Sequence, residues 1–258
     1  MRRTLTTGWP GAGAPVSLGM RSQSPLVLAS TAALAVMAGA FLPVQAQGNG
    51  KITGRILFKG VAPEPIKIRM AADPRCLQAS PNGAERRQID GKNGGLANVI
   101  VAIKTKVKGT FPASTTPVVL DQLGCMYTPA VIALQVGQPL KMRNSDDTLH
   151  NIHPRPVVNT GFNVGQPRKG METEKTFDKP ETIFPVSCDV HPWMRSYIAV
   201  FDHPFFTTTK DDGTFEIANV PPGEYEIEAQ HPTLKLMTGK VVVKAGAAGT
   251  VELTYTLK

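Results

Sequence analysis

Cysteine is scarce in this chain, with three in 258 residues, and so is tryptophan, with two. Three cysteines cannot all pair within one chain, so a scaffold held by disulfides alone is excluded. Acidic residues are absent before residue 47. Beyond that point no apolar run approaches the roughly 20 residues that a membrane-spanning helix needs. Runs of five or more like charges are missing, which leaves nucleic acid without an electrostatic footprint. There is no Ser-His-Asp order, no Gly-rich phosphate loop and no HExxH, so the commonest hydrolase, nucleotide-binding and metalloprotease readings fall away. Helical periodicity of ordinary length is also lacking after residue 47.

The first 46 residues have a different character. Arg2, Arg3 and Arg21 precede an apolar run from Leu26 to Leu42, and Val44-Gln45-Ala46 comes after it. A basic region, an apolar centre and a small-residue exit describe an export signal, with cleavage expected after Ala46. The alternative is an uncleaved anchor, for which a run of 17 residues interrupted by Ser30 and Thr31 is short. Arg2-Arg3 admits twin-arginine export, and Met20 offers a second start. Of 28 basic residues three lie in this segment, and all 20 acidic ones lie after it, so the remainder carries +5. That charge is modest and scattered. The expectation is a periplasmic or secreted protein without a transmembrane span once the segment is removed.

The chain after the export segment reads as β-structure. Ile52, Ile56 and Phe58 alternate with Thr53, Arg55 and Leu57, as in a half-buried strand. Residues 61–95 are broken by Pro63, Pro65, Pro74, Pro81 and a Gly-rich run, and read as irregular. Leu96 to Ile103 is a short apolar run suited to a buried strand. Near the C-terminus Asp211-Asp212-Gly213-Thr214 has hairpin chemistry. Val251, Leu253, Tyr255 and Leu257 then fall on every second position. The expected fold is all-β and of sandwich type.

Cys188-Asp189-Val190-His191-Pro192-Trp193-Met194 is the stretch in which chemistry concentrates. A thiol, an imidazole and a thioether recur there at every third residue. Soft sulfur with imidazole suits copper, and one Cys, two His and a weak axial Met form the blue-copper set. His150, 38 residues upstream, can supply the second imidazole. A single Cys with Met argues against structural zinc, which takes four Cys or His ligands. His153, three residues after His150, faces away if the segment is a strand, and is expected not to ligate. In an exported protein two of three cysteines pair. With Cys188 engaged, Cys76 and Cys125 are the pair; two unpaired buried thiols remain the alternative.

Two resemblances arise from these residues. "NSDDTLHNIHP" and "PVSCDVHPWMRSYIAVF" together resemble the cupredoxins, and most of all the amicyanins, whose ligand loop has the same compact Cys-x2-His-x2-Met form with Pro after the His. This likeness covers roughly residues 115–202. It implies a Greek-key sandwich with one mononuclear type-1 copper held by His150, Cys188, His191 and Met194. Asn151 then ties the first ligand segment to Asp189, where amicyanins carry Thr. Pro192 and Trp193 stand at the rim where electrons would enter beside His191, although simple packing serves Trp193 equally well.

"DDGTFEIANVPPGEYEIEA", with "GKITGRILFKG" and "LANVIVAIK", resembles the carboxypeptidase regulatory-like, transthyretin-type sandwich. It implies a discontinuous domain of residues 50–109 and 203–258, with a copper domain of 110–202 inserted. The alternative is consecutive domains, 50–202 and 203–258. The function implied is single-electron transfer between transient redox partners, a cytochrome or dehydrogenase, with no open metal position for an enzyme's substrate. The competing reading is a binding module, in which the second sandwich contacts glycan or protein and the copper is stored or delivered.

Overall fold

The computed structural model describes residues 48–257; the expected export segment, residues 1–46, lies outside them. In chain order the strands are β1 (Gly50–Lys59), β2 (Ile66–Ile68), β3 (Ala84–Arg86), β4 (Ile100–Ile103), β5 (Val118–Leu123), β6 (Met126–Thr128), β7 (Val131–Gln135), β8 (Leu140–Asn144) and β9 (His150–Pro154). They continue as β10 (Val164–Gln166), β11 (Glu172–Lys175), β12 (Glu181–Ser187), β13 (Arg195–Phe201), β14 (Phe206–Thr208), β15 (Thr214–Val220), β16 (Gly223–Gln230), β17 (Met237–Val243) and β18 (Ala248–Thr256). Among the described residues one short helix, α1 (Pro74–Ala79), stands between β2 and β3. The protein is all-β, built of two packed sandwiches.

Strands from both ends of the chain share the first sandwich. β1 lies between β15 and β18, antiparallel to one and parallel to the other. Opposite it runs a sheet in the order β14-β4-β16-β17. Alternation in β18 sends Val251, Leu253 and Tyr255 inward, where they meet Ile52, Ile56, Phe215, Ile217 and Ile227. The Asp212-Gly213 turn is needed for this closure. Gly213 has φ +79°, and a Cβ there would lie 2.2 Å from the Ile56 carbonyl oxygen. Asp212 accepts from the Thr214 amide at 3.0 Å.

The second sandwich packs a sheet ordered β10-β9-β12-β13-β7 on one ordered β11-β8-β5-β6. Leu120, Leu134, Leu140, Met142, Ile152, Phe184 and Ile198 fill its core. The two sandwiches meet through β4. Its Val101 and Ile103 point into the first core, while Ile100 and Ala102 pack on Val131, Ala199 and Phe201 of the second. Burial on both faces explains why Ile100 to Ile103 is continuously apolar rather than alternating.

Residues 61–95 depart from the irregular reading. β2 and β3 form a small hairpin around α1, whose N-cap is Asp73 with Pro74 at the first helical position. Six helical residues are too few for periodicity to announce them. Nor does this segment join the first sandwich, as the 50–109 boundary implied: Ile68, Met70 and Cys76 are buried in the second core.

One buried histidine away from the ligand loop sets a pH dependence. His231 is 4% exposed, and its Nδ1 accepts from the Thr233 amide at 3.2 Å, so the ring is held neutral. Burial pulls its pKa down to about 4. Below pH 6.5 the unfolded chain takes up a proton that the folded one refuses until about pH 4. Stability therefore falls with pH across that window, by about 2.5 kcal/mol by about pH 4.5. In urea titrations at pH 7 and pH 4.5, wild type should lose that much more than His231→Asn, since every other titrating group is common to both. Equal losses would refute it.

Candidate metal centre

Three strand ends build the centre. β12 and β13 are antiparallel neighbours, and β9 pairs with β12 through Val186–Pro154 and Ser187–His153. Cys188 directly follows β12, Met194 directly precedes β13, and His150 opens β9. The seven-residue loop between β12 and β13 is tightly closed. The Met194 amide donates to the His191 carbonyl at 2.9 Å, and the His191 amide donates to Cys188 Sγ at 3.4 Å.

Within that frame the donor atoms of His150, Cys188 and His191 all lie within 4.8 Å of one another. All three residues are buried, and Met194, also fully buried, packs in the same apolar cluster as Cys188. His150 Nδ1 and His191 Nδ1 face each other at 2.9 Å, and Cys188 Sγ lies 3.9 Å from His191 Nδ1. Burial pushes the Cys188 thiol up, but hydrogen bonding with His150 and His191 outweighs it and brings the group down to about 6. A thiolate at neutral pH is the form that binds metal.

The outer nitrogens are equally constrained. His150 Nε2 lies 2.9 Å from Asp146 Oδ2, and His191 Nε2 lies 2.8 Å from Asp73 Oδ2. Burial opposes the charge on both carboxylates. For Asp146 the bonds from His150 and from the Cys125 and Gly124 amides prevail, and its pKa stays below the usual range. For Asp73 the bonds from His191, the Arg75 and Cys76 amides and Thr148 do the same. Ionised carboxylates accept only, so both Nε2 atoms carry hydrogen. With both rings neutral each Nδ1 would present a lone pair to the other; a proton or a cation between them relieves that contact, and although burial opposes the charge, hydrogen bonding with Asp146, Asp73 and Cys188 holds both imidazoles above their ordinary pKa.

Neighbouring residues take definite places. Asn151 Oδ1 accepts from the Asp189 amide at 2.7 Å, which ties β9 to the loop, and lies 3.3 Å from Cys188 Sγ. His153 turns away from the cluster and bonds Asp189 through Nδ1 at 3.0 Å. Cys76 and Cys125 form a disulfide with Cα atoms 5.5 Å apart. Trp193 is half-buried and donates from its indole nitrogen to the Cys125 carbonyl at 3.0 Å. Pro192 is exposed, but His191 is only 2% exposed, because Asp73 and Cys76 cover its outer edge. Of the residues expected at the rim beside His191, Pro192 is exposed and Trp193 half-buried, while the imidazole itself is covered; the loop's exposed residues are Asp189, Val190 and Pro192.

Sequence reasoning missed Asp73, Asp146 and Tyr127. Tyr127 is buried and donates its hydroxyl hydrogen to the Asn151 carbonyl. Asp146 lies in the turn four residues before His150, the one place where proximity in sequence could have marked it. Asp73 is 118 residues from His191. Its Asp-Pro pair announces a helix start but not where that helix docks.

Comparison with known proteins adds partial likenesses. The model of a family described as the BOS complex subunit NOMO1-like, second beta sandwich domain, matches residues 204–255. No curated protein matches the chain. Among solved structures, the copper-containing nitrite reductase NirK of Thermus scotoductus SA-01 is 22% identical with a TM-score of 0.29, over 39% of this chain and 25% of that one. A purple cupredoxin from Nitrosopumilus maritimus is 25% identical with a TM-score of 0.26, over 30% of this chain and 82% of its own. A copper(I) amicyanin variant is 19% identical with a TM-score of 0.29, over 39% of this chain and 98% of its own. This chain thus spans a quarter of the nitrite reductase. These likenesses are remote, and the case for a metal stands on the donors themselves.

Proposed function

We propose that the protein is an exported type-1 copper protein that passes single electrons between transient protein partners, a cytochrome or dehydrogenase among the candidates. One observation carries the reading. Two imidazole Nδ1 atoms 2.9 Å apart, beside a thiolate, make a pocket for a soft or borderline cation. His150, Cys188, His191 and the fully buried Met194 would hold it. Copper in such a set supplies a one-electron couple.

The chain's own residues do the rest. Packed strands fix the donors on three sides, Asn151 steadies Cys188 and the loop after it, and burial excludes water. Four protein donors leave no position for a substrate, so the protein is read as a carrier and not an enzyme. The Cys76–Cys125 disulfide fits an oxidising compartment, periplasmic or extracellular. Among the described residues no helix is long and apolar enough to cross a membrane.

The test is spectroscopic. One equivalent of copper(II) added to the purified protein should give an intense thiolate-to-copper band that a mild reductant bleaches and an oxidant restores. A colourless protein, or a band that does not cycle, would sink the carrier.

A further inference from the structure

The two carboxylates on the imidazoles are not independent. Asp73 caps α1 through the Arg75 and Cys76 amides, at 2.8 and 3.4 Å. Cys76 is in that first turn and is disulfide-bonded to Cys125. The Cys125 amide in turn donates to Asp146 at 2.7 Å, and the Gly124 amide donates to its other oxygen at 2.8 Å. The chain of contacts therefore closes on itself: His191 to Asp73, along α1 to Cys76, across the disulfide to Cys125, then to Asp146 and His150. Thr148, two residues before His150, also donates to Asp73 at 3.2 Å. A loop from outside the second sandwich has been fastened so that each ligand ring meets one carboxylate.

Resting on the copper reading, we propose that Asp73 and Asp146 are a matched pair of positioning residues that direct both Nδ1 atoms to the metal and lower its reduction potential. Three physical effects act in the same direction. A carboxylate accepting from Nε2–H fixes the tautomer, so the lone pair is on Nδ1. The same bond makes the imidazole a stronger donor, which favours the more highly charged oxidation state. Two negative charges at the outer edges of the rings also stabilise copper(II) over copper(I), and Asp146, at 7% exposure, is little screened by solvent.

Asparagine is the discriminating substitution. At an N-cap Asn serves as well as Asp, so Asp73→Asn keeps α1 while removing the charge. If its oxygen keeps the cap, its amide group offers His191 Nε2 a donor where an acceptor stood. In potentiometric titrations followed at the thiolate-to-copper band, Asp73→Asn and Asp146→Asn should each shift the copper(II)/copper(I) ratio about tenfold toward the reduced form, about 59 mV for one electron. The double variant should shift it further than either. Asp73→Glu, which restores the charge, should recover part of the change. Nitrogen-15 NMR of the diamagnetic copper(I) wild type gives a readout that depends on no variant: both rings should be Nε2–H tautomers with slowly exchanging protons.

Blue variants with an unchanged potential, or wild-type rings protonated on Nδ1, would overturn the proposal while leaving the copper reading intact. A wild type with no thiolate band would instead remove the copper reading itself.

Discussion

Cys188→Ala should abolish the thiolate-to-copper band completely while leaving the fold in place. Cys188 is 2% exposed and sits at the convergence of both imidazoles, so its sulfur is the donor from which the colour must arise. The cost in copper affinity should exceed the roughly 10–100-fold expected for losing an outer partner of a ligand. Folding should suffer little. Alanine removes one small buried atom, and the loop retains its closing bond from the Met194 amide to the His191 carbonyl. Copper(II) that still binds would have two imidazoles but no thiolate, and would be pale. The measurement is a copper(II) titration read by visible absorption beside a far-ultraviolet dichroism spectrum. A band of undiminished intensity in the variant would assign the colour to another sulfur. Cys76 Sγ lies 3.4 Å from His191 Nε2 but is locked in the disulfide. Persistence of colour would therefore argue against both the ligand set and the disulfide.

That the ligand loop could be found in the sequence is a result of its compactness. Three donors within seven residues leave little freedom, and the apolar run Tyr197 to Phe201 marks a strand directly after the loop. The outer strands of the first sandwich were legible for a similar reason: one wet face and one dry face give β18 its period of two. Illegible were the features that depend on where a loop docks. Composition marks residues 61–95 as turn-rich, and this holds for β2, α1 and β3, each too short to show a period. Composition is silent on which of two cores receives Ile68 and Met70. Asp73 illustrates the limit, since its role arises only when that loop crosses to the second sandwich. Consequently the inner donors could be read from sequence, whereas the carboxylates behind them required coordinates.

Replacing both Cys76 and Cys125 with alanine should cost about 4 kcal/mol of unfolding free energy in the metal-free protein, by loop-closure entropy. The bridge closes a loop with a sequence separation of 49, and β3, β4 and β5 lie within it. β4 is buried against both cores, so the enclosed segment is no detachable flap, and the loss should appear in the global transition. Urea unfolding should show a lower midpoint, read from signals of both sandwiches. The position of the bond has a second consequence. Without it, α1 is held by polar contacts such as His191 to Asp73 and by the packing of Ile68 and Met70 on the second core, so amide exchange in residues 66–86 should accelerate more than in β12 or β13. Both cysteines are buried, at 0% and 1% exposure, so dithiol should reduce the wild-type bond slowly under native conditions and rapidly once urea opens the chain. An equilibrium cost below about 1 kcal/mol would mean that the unfolded chain gains little freedom from losing the bond. If the exchange rate of residues 66–86 were also unchanged, the disulfide would not be what holds Asp73 against His191.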